Sequence, residues 1–327
     1  ESAVPTDNPA IGLFDCERVR VAQCSLSGTQ IGVWMDDGGE DLVIENNQIN
    51  AHVDKGGQES GIVGVGVARL TGRVQVLGND IQGYVRGVVI NNQPLGRSFS
   101  TASYSTVMGN RIVLGRFQSN QEAVAIESAC AFGVVSENQI MLAAEDSTGI
   151  MVRGLGALIE RNRIQTQEQI ESQIAILLGG DDEMFTGGIT VAQNWIQGCT
   201  GNIVAEQVAG LRIKNNDFAG DSGDELAVSL SECTVVNVDD NTLSGCTIGV
   251  FASQSEDIQV QNNHIVDGGA AVLCERCVRV NIANNQISNC RNGGIFVALC
   301  LARAAIIGNR LNYVGAEGKN VLASSIA

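Results

Sequence analysis

The chain has 327 residues, with 36 Asp and Glu against 20 Lys and Arg and a net charge of −16. Neutralising phosphate takes clustered cations, so this balance argues against nucleic acid or an anionic membrane as partner. No apolar run approaches the roughly 18 residues of a membrane helix, and no charged segment followed by an apolar one opens the chain as a secretory signal would.

Residues 1–10 read as a lead-in. From residue 11 to 323 a unit recurs, and residues 324–327 form a short C-terminal end. Each unit opens with a short strand, often led by Gly, as in GLF at 12–14, IGVW at 31–34, VAIE at 124–127, IMVR at 150–153, IVAE at 203–206 and GIFV at 294–297. A turn follows, then a second strand in which apolar residues alternate, and two residues later an Asn. The Asn positions are Asn47, Asn79, Asn110, Asn138, Asn162, Asn194, Asn216, Asn241, Asn263, Asn285 and Asn309, with Cys24 in the same place one unit earlier. A short third strand and a connection complete the unit. The alternation has period two and is rich in Val and Ile, so the units are all-β. A unit of 20 to 50 residues cannot bury its apolar face alone, and stacking supplies the missing cover. Only three Pro occur, as expected where nearly every segment donates to a ladder.

Eleven such Asn in register resemble the asparagine ladder of the right-handed parallel β-helix in the pectate-lyase-like superfamily, and the resemblance covers residues 11–323. It implies an all-β solenoid of about 12 coils with three parallel sheets. The Gly-led strands are then the first sheet, the alternating strands the second, and the residues after Asn the third. Asn suits the corner because its short amide tolerates a left-handed conformation and can bond to the same corner one coil on. The chain opens almost inside a coil and shows no capping helix at either end. It is therefore expected to be part of a larger protein or to have its ends covered by partners.

In the resembled family, substrates lie along the outer face of the first sheet. Simple alternation predicts two outward rows there. One runs Gly12, Gly32, Gly66, Val89, Ala125, Met151, Ala175, Val204, Ala227, Gly249, Ala271 and Phe296, and its lack of charge suggests a face covered by a partner or another copy. The other runs Phe14, Trp34, Ala68, Asn91, Glu127, Arg153, Leu177, Glu206, Ser229, Phe251, Leu273 and Ala298, apolar at both ends and polar in the middle, where long loops flank it. Glu127 and Arg153 on adjacent coils are candidate catalytic groups for a lyase or hydrolase, and the plainer alternative is a cross-strand ion pair. Asn91 and Glu206 would line that groove. On the third sheet Trp195, between Arg163 and Asp217, could stack on a sugar ring. Asp181, Asp182 and Glu183 offer oxygen donors for Ca²⁺, against a plain solvated turn, and no other cofactor is expected. Glu127 and Glu206 lie three coils apart, roughly 14 Å, too far for a glycosidase carboxylate pair. The ten Cys fall in repeated small-residue slots and read as buried thiols rather than as a disulfide or zinc framework.

Three functions stay open. The first is a non-catalytic β-helical rod of a surface, fibre or adhesin-like protein, outside the cell or on its surface, recognising a polysaccharide or assembling through its first sheet. The second is a polysaccharide lyase or glycoside hydrolase. A repeat scaffold for protein partners, with a homo-oligomer or flanking domains, is a third.

Overall fold

The structure, a computed structural model, describes residues 9–36, 41–53, 61–68, 72–91, 104–115, 122–166, 173–179, 186–220, 225–312 and 321–324. Every strand pairing recorded among them is parallel, and strands inside the stack pair with their counterparts one coil before and one coil after, Thr186–Gly187 alone among them pairing with a strand on one side only. Twelve second-sheet strands follow one another in chain order, from Val19–Ala22 to Ala304–Ile307. The first and third sheets are hydrogen-bonded into one curved surface, joined where Asp80–Asn91 runs through both without a break.

The core is a column of stacked aliphatic side chains. Val33, Val65, Val88, Ile126, Ile150, Ile176, Ile203, Val228, Val250, Val272 and Ile295 make one row of it, all with 0% exposure. Burying a side chain of this size removes roughly 1.5–3 kcal/mol of unfavourable hydration. No single coil could retain that gain, because each residue's cover is the coil above and the coil below.

The ladder is continuous. Each Asn from Asn47 to Asn285 donates Nδ2–H to Oδ1 of the next, at 2.9–3.0 Å, and its backbone N–H donates to the same oxygen. Cys24 begins the series through its backbone alone, its N–H donating to Asn47 Oδ1 at 2.9 Å. The left-handed residue, however, is not the ladder Asn. It is the residue before it: Asn46, Gly78, Gly109, Glu137, Arg161, Gln193, Asn215, Asp240, Asn262, Asn284 and Gly308 all have φ between 53° and 69°. For a residue with a Cβ this conformation costs about 1–2 kcal/mol. The Asn that follows offsets it by filling every hydrogen-bonding position of a buried amide.

Cysteines occupy two further corners on the same plan. All ten are free thiols, and Cys130, Cys199, Cys233, Cys246, Cys274, Cys277 and Cys290 are buried. Cys233 Sγ donates to Ala205 O at 3.4 Å, and Cys277 Sγ to Ala252 O at 3.4 Å, each reaching back one coil.

Candidate functional site

The first sheet departs from simple alternation. In Ile248–Ser253 the second and third residues, Gly249 and Val250, are both buried, and the outward residues are Ile248, Phe251 and Ser253. The cause is packing at Gly249. A Cβ there would stand 2.6 Å from Ala271 O and 3.0 Å from Ile265 Cγ2. Ala125, Ala175, Ala227 and Ala271 fill the same slot with 0% exposure. Gly32, Ala125, Ala175, Ala227, Gly249 and Ala271 of the uncharged row are therefore interior, and they are small because the next coil's backbone presses on them, while Gly66, Val89, Met151, Val204 and Phe296 of that row do stand outward.

The ladder pairings set the true outward row as Trp34, Gly66, Val89, Glu127, Met151, Leu177, Val204, Ser229, Phe251, Leu273 and Phe296. Asn91 stands two residues further along, paired with Ala68 and Ala129. Glu206 likewise lies beside Gly179 and Ser231. Arg153 follows Ser147–Val152, and its N–H donates to Ser128 O at 2.9 Å. Glu127 is thus level with Met151, and the expected facing of Glu127 and Arg153 is offset by two residues.

Glu127 instead has Arg86 as its partner, with Arg86 Nη1 3.1 Å from Glu127 Oε2. Glu127 is 8% exposed although its side chain leaves the coil, so this part of the face is covered rather than an open groove. Arg86 escaped the sequence reading because its position precedes the small slot, and strict alternation assigns that position no outward role. The carboxylate is ion-paired, and no Asp or Glu lies level with it on the coil before or after, where Val89 and Met151 stand.

The C-terminal half of the same row is apolar and aromatic. Leu177, Val204, Phe251, Leu273 and Phe296 are half-buried and stand level on successive coils, interrupted by Ser229. Phe296 lies over Gly293, where a Cβ would come within 2.2 Å of its ring. Two residues along, Glu206, Ser231, Ser253 and Glu275 form a polar margin in register.

The third-sheet row is as expected, with Gln139, Arg163, Trp195, Asp217, Thr242 and His264 in consecutive pairings. Arg163 Cζ sits 4.4 Å from the Trp195 ring centroid, a cation–π contact that occupies one indole face. Asp181, Asp182 and Glu183 lie outside the described residues. Among the described residues, no group of three or more His, Cys, Asp or Glu is placed to hold a metal ion, and no helix is long and apolar enough to cross a membrane.

A family model described as a right handed beta helix region matches residues 174–326. No curated protein matches the chain. Among solved structures, a mutant of the periplasmic alginate epimerase AlgG is similar at 12% identity, over 93% of this chain and 76% of that one, with a TM-score of 0.49. The catalytic unit of the thermostable GH87 α-1,3-glucanase from Streptomyces thermodiastaticus is similar at 12% identity, over 93% and 63%, with a TM-score of 0.46. The A-module of the Azotobacter vinelandii mannuronan C-5 epimerase AlgE4 is similar at 11% identity, over 98% and 91%, with a TM-score of 0.41. At such identities these are likenesses of fold, not of chemistry. With its stacked parallel ladders and its Asn corner, the chain is a right-handed parallel β-helix.

Proposed function

We propose that the chain is a non-catalytic β-helical rod of a surface, fibre or adhesin-like protein, and that it binds a neutral polysaccharide lengthwise on the first-sheet face of its C-terminal half. The observation that carries this reading is the level series Phe251, Leu273, Phe296. The two Phe stand two coils apart, roughly 9.6 Å at the usual strand spacing. That is close to the repeat of a disaccharide in an extended β-1,4-linked chain, so alternate sugar rings would lay their C–H faces on the two rings. Leu273 fills the step between, and Ser231, Ser253, Glu206 and Glu275 stand alongside to meet hydroxyls. A net charge of −16 opposes an acidic polysaccharide, which makes a neutral one the better match.

The enzyme reading loses support from Glu127. Its carboxylate is ion-paired to Arg86 and has no second carboxylate level with it on the neighbouring coils, whereas glycosidases hold two about 5–9.5 Å apart.

The test is affinity electrophoresis and calorimetry on a panel of neutral and acidic polysaccharides, with analysis of released sugars. Binding to a neutral glycan without cleavage is expected. Phe251→Ala and Phe296→Ala should each weaken it by about tenfold, the loss of one aromatic contact. Release of oligosaccharides that stops in Glu127→Gln would replace this reading with a lyase or hydrolase. Unchanged affinity in both Phe variants would remove the site.

A further inference from the structure

The corner between the first and second sheets has its own stacked series. Glu232, Gln254, Arg276 and Leu299 are left-handed, with φ of 53°, 50°, 53° and 55°. The residues after them, Cys233, Ser255, Cys277 and Cys300, consequently occupy one position on four successive coils. The backbone confirms the stacking: Glu256 N–H donates to Cys233 O at 2.8 Å, Val278 N–H to Ser255 O at 2.8 Å and Leu301 N–H to Cys277 O at 3.0 Å. Cys233 N–H donates to Ser255 Oγ at 3.0 Å, a hydroxyl version of the Asn ladder.

At Cys277 this series meets another thiol. Cys274 lies in the strand Ala270–Glu275, in the core between Ala252 and Val297, and is near enough to Cys277 across the corner for the two thiols to act on each other. Cys274 and Cys277 are 0% and 1% exposed, while Cys300, one coil on, is half-buried and close enough to Cys274 to act on it electrostatically. The neighbouring Cys274 brings the Cys277 thiol down to about 7, and Cys274 itself is pushed up by Cys277 and by burial.

We propose that Cys274 and Cys277 are a reversible dithiol–disulfide site, which a small disulfide oxidant reaches through Cys300. In the first step the Cys300 thiolate attacks one sulfur of the oxidant and releases the other half as a thiolate. Cys277 then gives up its proton and attacks Cys300 Sγ as the thiolate, expelling the second half as a thiolate. Finally Cys274 gives up its proton and attacks Cys277 Sγ, returning Cys300 as a thiolate. Two protein thiols become one disulfide, and the two electrons and two protons convert the oxidant into two free thiols. The site does not depend on glycan binding.

The experiment treats the folded chain with oxidised glutathione and follows intact mass and peptide linkage. The expected product lacks two hydrogens and carries a Cys274–Cys277 bond, and dithiothreitol reverses it. Cys277→Ser and Cys274→Ala should abolish it. Both are compatible with the fold, because Ser255 and Ala252 already hold these positions one coil earlier. Cys300→Ser should give the same product about tenfold more slowly, as expected when the accessible thiol is lost. Three results would each overturn the proposal: no mass loss in the folded protein, a bond between any other pair, or a Cys300→Ser rate equal to that of the unaltered chain.

Discussion

Asn216→Ala measures what the ladder contributes. Asn216 Nδ2 donates to Val191 O and Asn241 Oδ1, both at 3.0 Å, and its Oδ1 accepts from Asn194 N at 2.9 Å and Asn194 Nδ2 at 3.0 Å. Alanine removes all four bonds, but not all four partners are stranded. Asn194 Nδ2 keeps Ile159 O and Ala192 O, and Asn241 Oδ1 keeps the backbone N–H of residue 216. The Asn194 N–H is left without a partner, while Val191 O keeps its place in the ladder between Thr190–Ala192 and Val208–Lys214. At about 1–3 kcal/mol for a buried polar group left without a partner and about 1 kcal/mol for the other bonds lost, the cost is about 3 kcal/mol. Asn309→Ala is the comparison. Asn309 is the last rung and only partly buried, so water can replace it and the cost falls to about 1 kcal/mol. Guanidinium unfolding followed by circular dichroism gives both values. Because stacked repeats need not unfold in one step, hydrogen exchange at the Asn194 amide supplies a local reading, and its protection should collapse in Asn216→Ala alone. Equal costs for the two variants, or an Asn194 amide that stays protected, would refute the view that the ladder is held by side-chain bonds rather than by packing.

Gly249→Val should destabilise the chain by about 3 kcal/mol in the same unfolding assay, since even a Cβ at this position meets Ala271 O at 2.6 Å and the branched side chain adds to that clash. Arg86→Ala should cost about 1–2 kcal/mol by leaving the Glu127 carboxylate without its guanidinium, a figure reduced because Arg86 is itself 44% exposed; adding Glu127→Gln should recover most of the loss. Burial pushes the Cys246 thiol up to about 12 and Cys199 higher still, with Glu225 adding to both. A thiol raised in the folded state contributes stability that is complete below about pH 8.5 and lost as pH rises toward its folded value, at about 1.4 kcal/mol per pH unit for each group. Melting temperature should therefore fall steadily from pH 9 to pH 11, and Cys199→Ala with Cys246→Ser should flatten the fall.

What could be read from the residues follows from how regular the backbone is at each place. The third-sheet row from Gln139 to Asp217 is as alternation requires, because those strands are short and strictly pleated. The Asn positions hold for a different reason, since each side chain must meet its neighbour and tolerates no shift of register. In the first sheet Phe251 and Leu273 face outward as alternation from Val250 and Val272 requires, but Gly249 turns inward together with Val250, so the residue before that slot faces out instead. That irregularity hid Arg86, while Arg153 falls away from Glu127 because the strand at 150–153 pairs two residues earlier than its apolar pattern suggests. The corner was misread more subtly. An Asn at a turn suggests a left-handed residue, yet here the side chain's four bonds select Asn, and the strain falls on Glu137, Arg161 or Gln193 just before it.

The two kinds of corner also suggest where this rod can vary. Intervals between ladder Asn range from 22 to 32 residues, yet no rung is displaced. Extra length has therefore been absorbed in segments flanking the first sheet, where a missing or added residue breaks no buried side-chain chain. The corner after the first sheet is correspondingly mixed, with Cys233, Ser255, Cys277 and Cys300 in one position, whereas the ladder corner accepts Asn eleven times. A stack held rigidly along one edge can change sequence along the other at little cost in stability. The outward positions of the first sheet, from the ion-paired Glu127 to the Phe251 and Phe296 rings, lie on the permissive side, which is where recognition of a partner can evolve without unmaking the fold.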